Sequence, residues 1–163
     1  MPLIPDAATI QSSFAMLPIV TYQPGEVVIA AGATTGKLLL LRQGEVEVVK
    51  EGTQIARVSE PGSVFGDLAV LLDKPHTADV RALERSEFKV ADAASLLASD
   101  PVATLYIAAM LARRLDAANG ALIDLRRQLE TGKPRVAIAH TVNKIAELLS
   151  SGYPYEPFVS PIR

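Results

Sequence analysis

The sequence predicts a mainly β fold with flanking helices: a sandwich or barrel of short strands followed by one long helix. Short apolar or alternating segments recur between Val27 and Val90, and turns containing glycine or proline separate them. From about Ala93 the apolar period changes from that of a strand to that of a helix. The chain has 163 residues, 49% of them apolar, which is enough for one domain with a proper core.

The first elements are a short helix and a series of strands. Ile10, Phe14 and Leu17 lie at helical spacing within residues 7–17, and Pro18 ends that helix. Residues 22–26 form a turn. The strands that follow are predicted over residues 27–31, 37–42, 45–48, 54–58, 78–82 and 87–90. Residues 1–98 are therefore expected to fold as one β domain.

A long helix is predicted over residues 99–130. Ser99 or Asp100 can cap its start, and Pro101 suits its first turn. An apolar seam with spacings of 4, 3, 4, 3 and 4 runs along it, formed by Leu111, Leu115, Ala118, Leu122, Leu125 and Leu129. A helix of about 30 residues is about 45 Å long, so it overhangs a domain of this size. We expect the seam to pair with a second copy of the chain; packing on its own domain is the alternative.

Residues 131–163 form the third predicted region. The segment 131–134 contains a glycine and a proline that end the long helix, and residues 135–150 have the pattern of one more amphipathic helix. Residues 152–163 carry three prolines and three aromatic side chains, which predicts an extended tail that docks on a surface.

Charge and composition argue against several function classes. The formal net charge is −2 and there is no cysteine, so neither a basic nucleic-acid surface nor a thiolate or cysteine-bound metal is predicted. His76 and His140 have no metal-ligand spacing, and no serine elbow or P-loop is present, so we expect neither an enzyme nor a cofactor. The start of the chain lacks a signal-peptide pattern and no apolar run reaches membrane length, which predicts a cytoplasmic protein.

The stretch from Gly62 to Ala82 carries the candidate ligand site. Its pattern predicts a glycine turn, a short helix opening at Gly66, a loop with Pro75, and an alternating strand. Unpaired N–H groups at a helix start attract anions. Thr77 and the N–H group of Ala78 could close the other side, so the local pattern predicts a small pocket for a phosphate.

The same residues resemble a known signature. Gly66-Asp67-Leu68-Ala69 and Pro75-His76-Thr77-Ala78, here called the cassette, are similar to the phosphate-binding cassette of cyclic nucleotide-binding domains. That family's pattern is Gly-Glu-(Leu/Ile/Met)-(Ala/Ser), a spacer, then Pro-Arg-(Ser/Thr)-Ala. The resemblance extends over about residues 7–130. It implies the family's eight-stranded double-stranded β-helix (jelly roll), followed by a dimerisation helix.

The resemblance implies a regulatory sensor whose ligand is cyclic AMP or cyclic GMP. Asp67 stands where the family has its ribose-binding Glu, and His76 where it has its phosphate-binding Arg. The loss of one charge-assisted hydrogen bond weakens binding by about 10- to 100-fold, and protonation of the histidine at lower pH would recover part of that. The implied ligand-binding residues are Phe65, Gly66, Asp67, Leu68, Ala69, Pro75, His76, Thr77 and Ala78, with Asn119 on the long helix for the base.

Other interpretations remain open at this point. The fold could serve as a ligand-free interaction protein, with His76 exposed on its loop and Asp67 capping the short helix, or the pocket could take another small ligand. The chain could also be a truncated relative of catabolite-activator type transcriptional regulators. After the long helix no candidate recognition helix follows, so we expect no direct binding to nucleic acid. The expected partners are a second copy of the chain and an unidentified protein.

Overall fold

The computed structural model describes residues 3–131, so the helix predicted over 135–150, the tail 152–163 and His140 lie outside the described residues. The elements in chain order are α1 (Ala7–Phe14), β1 (Ile19–Tyr22), β2 (Val27–Ile29), β3 (Lys37–Gln43), β4 (Val46–Lys50), β5 (Thr53–Val58), β6 (Val64–Phe65), α2 (Asp67–Leu71), β7 (Asp79–Ala82), β8 (Ser86–Asp92), α3 (Ala93–Ser99) and α4 (Pro101–Glu130).

The strands form two four-stranded sheets, in the orders β1-β8-β3-β6 and β2-β7-β4-β5. All pairings are antiparallel, including the long register of β3 against β8 and of β4 against both β5 and β7. Strands distant in sequence lie side by side, as in β1 against β8. This arrangement, followed by a long helix, confirms the jelly-roll fold predicted for the chain.

Strand β3 separates two hydrophobic cores. Because successive side chains point to opposite faces of a strand, Leu39 and Leu41 enter the core between the two sheets, where they meet Phe88. Leu38 and Leu40 enter the core between the first sheet and the helices. This explains why β3 is apolar along most of its length: both of its faces are covered.

Helices α1 and α4 cover the outer face of the first sheet. Asp100 caps α4 by accepting from the N–H groups of Val102 and Ala103 at 2.9 and 3.0 Å, which confirms one of the two predicted caps. Tyr106 is buried and donates from its hydroxyl to the carbonyl of Gly62 at 2.7 Å. The first half of α4 is therefore fixed to the chain just before the cassette.

Several boundaries differ from the sequence-based expectation. Strands β1 and β6 were not predicted, because β1 is exposed along most of its length and β6 has only two residues. The helical region after Ala93 contains two helices, since α3 ends before the cap at Asp100. Helix α1 ends at Phe14 rather than Leu17.

The seam on α4 has a mixed environment. Leu111 is half-buried and packs against the core beneath the helices. Leu115, Leu122 and Leu129 are 63%, 61% and 56% exposed. Pairing of the seam with a second copy stays a prediction.

Within residues 3–131, no single helix is both long and apolar enough to cross a membrane. Only α3 and α4 taken together, across their bend of 108°, would meet the length and composition required.

Candidate functional site

A cavity beside α2 brings most of the predicted cassette together. Apolar side chains of the second sheet, including Val48, Ala56 and Val80, form part of its wall. The predicted residues that line it are Phe65, Gly66, Asp67, Leu68, Ala69, His76, Thr77 and Ala78. Pro75 and Asn119 are not among the lining residues, and a role for Asn119 in contacting a base stays a prediction.

Gly66 sets the position of α2. It is the residue before the helix and has a φ of 88°, in the left-handed region that favours glycine. A Cβ atom there would lie well inside 3.0 Å of the carbonyl oxygen of Lys37 in β3. The start of α2 is therefore pressed against the backbone of the first sheet, and the cassette has little freedom to shift.

Asp67 begins α2 and turns its carboxylate inward. The residue is only 4% exposed. Its Oδ2 accepts a hydrogen bond from Nη1 of Arg114 on α4 at 2.9 Å. Burial raises the pKa of the Asp67 carboxyl, while the Arg114 guanidinium and the N–H groups of Asp67 and Leu68 act in the opposite direction.

Arg114 is a residue of the cavity that the sequence analysis did not single out. In the structure it lines the cavity, and its Nη2 also donates to the carbonyl of Val64 at 3.1 Å. A signal was present: Arg114 follows Met110 by four residues and so continues the stripe of α4 that faces the core.

His76 is buried in the loop before β7, with 7% of its surface exposed. Its ring Nε2 lies 3.0 Å from the hydroxyl oxygen of Thr35. Its backbone N–H donates to Ala33 at 2.9 Å, and its carbonyl accepts from Gly32 at 2.8 Å. The ring, the N–H group and the carbonyl of His76 are therefore all bonded to the loop after β2.

Two parts of the ligand-free interpretation are wrong for this structure. His76 is not an exposed loop residue, because the loop after β2 covers it. Asp67 does not cap α2, because the cap position is Gly66 and no side-chain hydrogen bond closes that end. The Asp67 carboxylate bonds to Arg114 on α4 instead.

The arrangement can hold a small anion with an adjoining polar group. Arg114 supplies a permanent positive charge, Thr77 a hydroxyl, and Asp67 a carboxylate that has acceptor sites beyond the one used by Arg114. The apolar wall suits a flat or hydrophobic ligand part. Within the described residues, no group of three His, Asp or Glu side chains could hold a metal ion.

Comparison with known proteins identifies the same family as the resemblance seen in the sequence. The model of the cyclic nucleotide-binding domain family matches residues 19–98. A cAMP-dependent protein kinase regulatory subunit from Schizosaccharomyces pombe is 34% identical over 76 residues, which cover 47% of this chain and 18% of that protein. Glutaminase 2 from Bradyrhizobium diazoefficiens is 38% identical over 112 residues, covering 64% of this chain and 18% of that protein. These matches span less than a fifth of the length of either relative.

A solved structure shows the same fold. The Catabolite Activator Protein of Thermus thermophilus superposes with a TM-score of 0.57 at 20% identity, covering 90% of this chain and 82% of that one. At this identity the likeness concerns the fold alone. It places the jelly roll and long helix of this chain among known architectures.

Proposed function

Because residues 19–98 belong to the cyclic nucleotide-binding domain family, we propose that the chain is a regulatory sensor module whose ligand is cyclic AMP or cyclic GMP. The ligand occupies the cavity beside α2. Its cyclic phosphate lies near the N–H groups of residues 67–69, the Thr77 hydroxyl and the Ala78 N–H group, and its ribose lies near Asp67. The module itself carries out no reaction.

The contact between Asp67 and Arg114 is the observation that carries the proposal. The family's cassette arginine is replaced by His76, so the cassette by itself lacks a permanent cation. Arg114 brings one to the same cavity from α4, within 2.9 Å of the carboxylate. A planar guanidinium can bond to a carboxylate and to a phosphate, so it compensates for part of the missing charge.

The same contact supports signalling through α4. A ligand that bonds to Asp67, or that attracts Arg114 toward its phosphate, changes the bond that joins α2 to α4. Any such preference for one arrangement of the helix shifts the balance between two states. We propose that this shift is transmitted to a second copy of the chain through the seam, in the cytoplasm, and without direct contact to nucleic acid.

Titration calorimetry of the purified protein with cyclic AMP and with cyclic GMP, at pH 6 and pH 8, tests the proposal. We expect saturable binding with a Kd of about 1–100 μM and a tighter complex at pH 6. The variant His76→Arg should bind about tenfold more tightly, since it restores a charge-assisted bond. The variant Arg114→Met should bind more weakly.

Two results would contradict it. An absence of heat with both nucleotides at millimolar concentration, for a protein whose circular dichroism shows it to be folded, would reject nucleotide binding. Equal affinity for the wild type and for His76→Arg would show that the phosphate does not lie beside the cassette. Arg126→Met is the matched control, because Arg126 lies on α4 but bonds to Glu130 on the surface.

One observation favours a second function. Two polar side chains of the cavity already have partners inside the chain: Asp67 bonds to Arg114, and His76 to Thr35. These internal bonds are consistent with a ligand-free protein of the same fold that acts through protein contacts. Calorimetry without heat, together with a dimer that persists in sedimentation, would favour that function.

A further inference from the structure

The loop after β2, residues 30–36, contacts both the backbone and the ring of His76. Gly32 and Ala33 bond to the backbone of His76 at 2.8 and 2.9 Å, and Thr35 contacts its ring at 3.0 Å. The ring is buried beside the cavity. Its orientation is therefore fixed by another part of the chain before any ligand arrives.

The hydroxyl of Thr35 is the partner of ring nitrogen Nε2 of His76, and a hydroxyl can either donate to that nitrogen or accept from it. Thr35 Oγ1 accepts a long hydrogen bond from the backbone N–H of Lys37 at 3.3 Å, which occupies one of its two lone pairs, and its own proton is available for donation. The ring nitrogen in reach of that proton is Nε2 of His76. In a neutral imidazole, the nitrogen that accepts has no proton and the other nitrogen has one.

We propose that Thr35 is a positioning residue that holds neutral His76 as the tautomer with its proton on Nδ1, and thereby makes it a hydrogen-bond donor to an anionic ligand. Because Nε2 is already engaged by Thr35, Nδ1 is the nitrogen left for a ligand. The part of this inference that concerns the ligand rests on the proposed function. The part that concerns the tautomer does not.

The inference changes how the replacement of arginine by His76 is understood. A histidine that had to gain a proton before it could donate would lose its contact at pH 8. A ring fixed with its proton on Nδ1 keeps one neutral donor there, and Arg114 in the same cavity supplies the charge, with Asp67 as its counter-ion. Binding should then persist at pH 8.

The test is nuclear magnetic resonance of the ¹⁵N-labelled full chain without ligand at pH 8. Two-bond correlations from the ring carbons' protons to the ring nitrogens distinguish the two tautomers, and the variant His76→Gln identifies the signals of His76 against those of His140. We expect the Nδ1–H pattern in the wild type and in Thr35→Ser. In Thr35→Val, which lacks the hydroxyl, we expect a mixture shifted toward Nε2–H.

The ligand part is tested by calorimetry at pH 8 with whichever of cyclic AMP or cyclic GMP binds the wild type. Thr35→Val should weaken binding about five- to tenfold, and Thr35→Ser should restore it to within about twofold. An Nε2–H pattern in the wild type would overturn the inference, and so would a spectrum that is unchanged in Thr35→Val. Since the spectra need no ligand, a failure of nucleotide binding would leave their outcome readable.

Discussion

The two halves of α4 differ in how much of their large apolar side chains is exposed. In the first half, Ala103, Tyr106, Ile107 and Met110 are buried against the first sheet and α1. In the second half, Leu115, Leu122 and Leu129 are more than half exposed, although Ala121 is fully buried. Arg114 lies at the boundary, and it is the residue that reaches the cassette. One continuous helix thus combines an anchor, a contact to the site, and an apolar surface that is open in the single chain.

The comparison shows that regular leucine spacing along α4 does not by itself indicate which leucines are buried. The seam begins at Leu111, near the middle of α4, and continues at a period of about 3.5 residues to Leu129, but only Leu111 packs against the core beneath the helices. A helix that needed only to cover its own domain could end there. The exposed leucines are the kind of surface that a second helix covers, which is why the following variants are directed at each half in turn.

The largest effect is expected at the boundary. Arg114→Met leaves the buried Asp67 carboxylate without its cation, which should lower the free energy of unfolding by about 3–4 kcal/mol. The double variant with Asp67→Asn should recover most of that loss. Urea unfolding monitored by circular dichroism measures both, and a loss below about 1 kcal/mol would mean that solvent already screens the pair.

The pH dependence of the same variant has a definite sign. Burial raises the pKa of the Asp67 carboxyl above its ordinary value of 3.8, so the folded state holds the proton more tightly than the unfolded state. The cost of ionising Asp67 is therefore absent below the ordinary pKa and complete above the folded one. Because Arg114 opposes the shift, its removal raises the pKa of the folded state further, and the destabilisation should grow as the pH rises above the ordinary pKa of 3.8.

The next effect compares the two halves directly. Met110→Ala removes a buried side chain and should cost about 2–3 kcal/mol, in the lower part of the range for such changes because methionine sites collapse readily. Leu122→Ala, in the exposed half, should cost less than about 0.5 kcal/mol in the monomer. If a second copy covers the seam, the cost of Leu122→Ala will instead grow with protein concentration. If Met110→Ala and Leu122→Ala lowered the free energy of unfolding equally at every protein concentration, the division of α4 into two halves would be wrong.

The smallest effect is expected at Gly120, in the exposed half of α4. Among residues 3–131, no atom outside the adjoining helix backbone lies within 4 Å of a Cβ built there, so Gly120→Ala should stabilise the monomer by about 1 kcal/mol through helix propensity. If a partner helix approaches closely at this position, the added methyl will weaken the dimer instead. Thermal unfolding and sedimentation of the same variant, at two protein concentrations, distinguish these outcomes.

Most of the fold could be predicted from the sequence, because its signals are local. The alternation in β4, the apolar run of β3 and the cap at Asp100 each report their own element. Strand β1 was not predicted because it has no alternation of apolar and polar residues that would mark a buried and an exposed face. Most of its length is exposed. Strand β6 is too short for a pattern, and it exists because Val64 and Phe65 pair with β3.

The site could be predicted only in part, for the same physical reason. The residues of the cassette are neighbours in sequence and were found together, and eight of the expected residues line the cavity. Arg114 and Thr35 reach the cassette from distant elements. A lone arginine on a helix, or a lone threonine in a loop, is usually solvated, so only the fold reveals what they contact.

The bonds that complete the site also determine when it can form. Thr35 and His76 are 41 positions apart in the chain, and Asp67 and Arg114 are 47 apart. Closing loops of this length costs conformational entropy before any bond rewards it, so such contacts form late in folding. A short peptide that carries only the cassette would possess the motif and lack the site. The cavity is formed by the complete jelly roll and α4 together, and a chain interrupted before α4 would lack the part of its wall that Arg114 supplies.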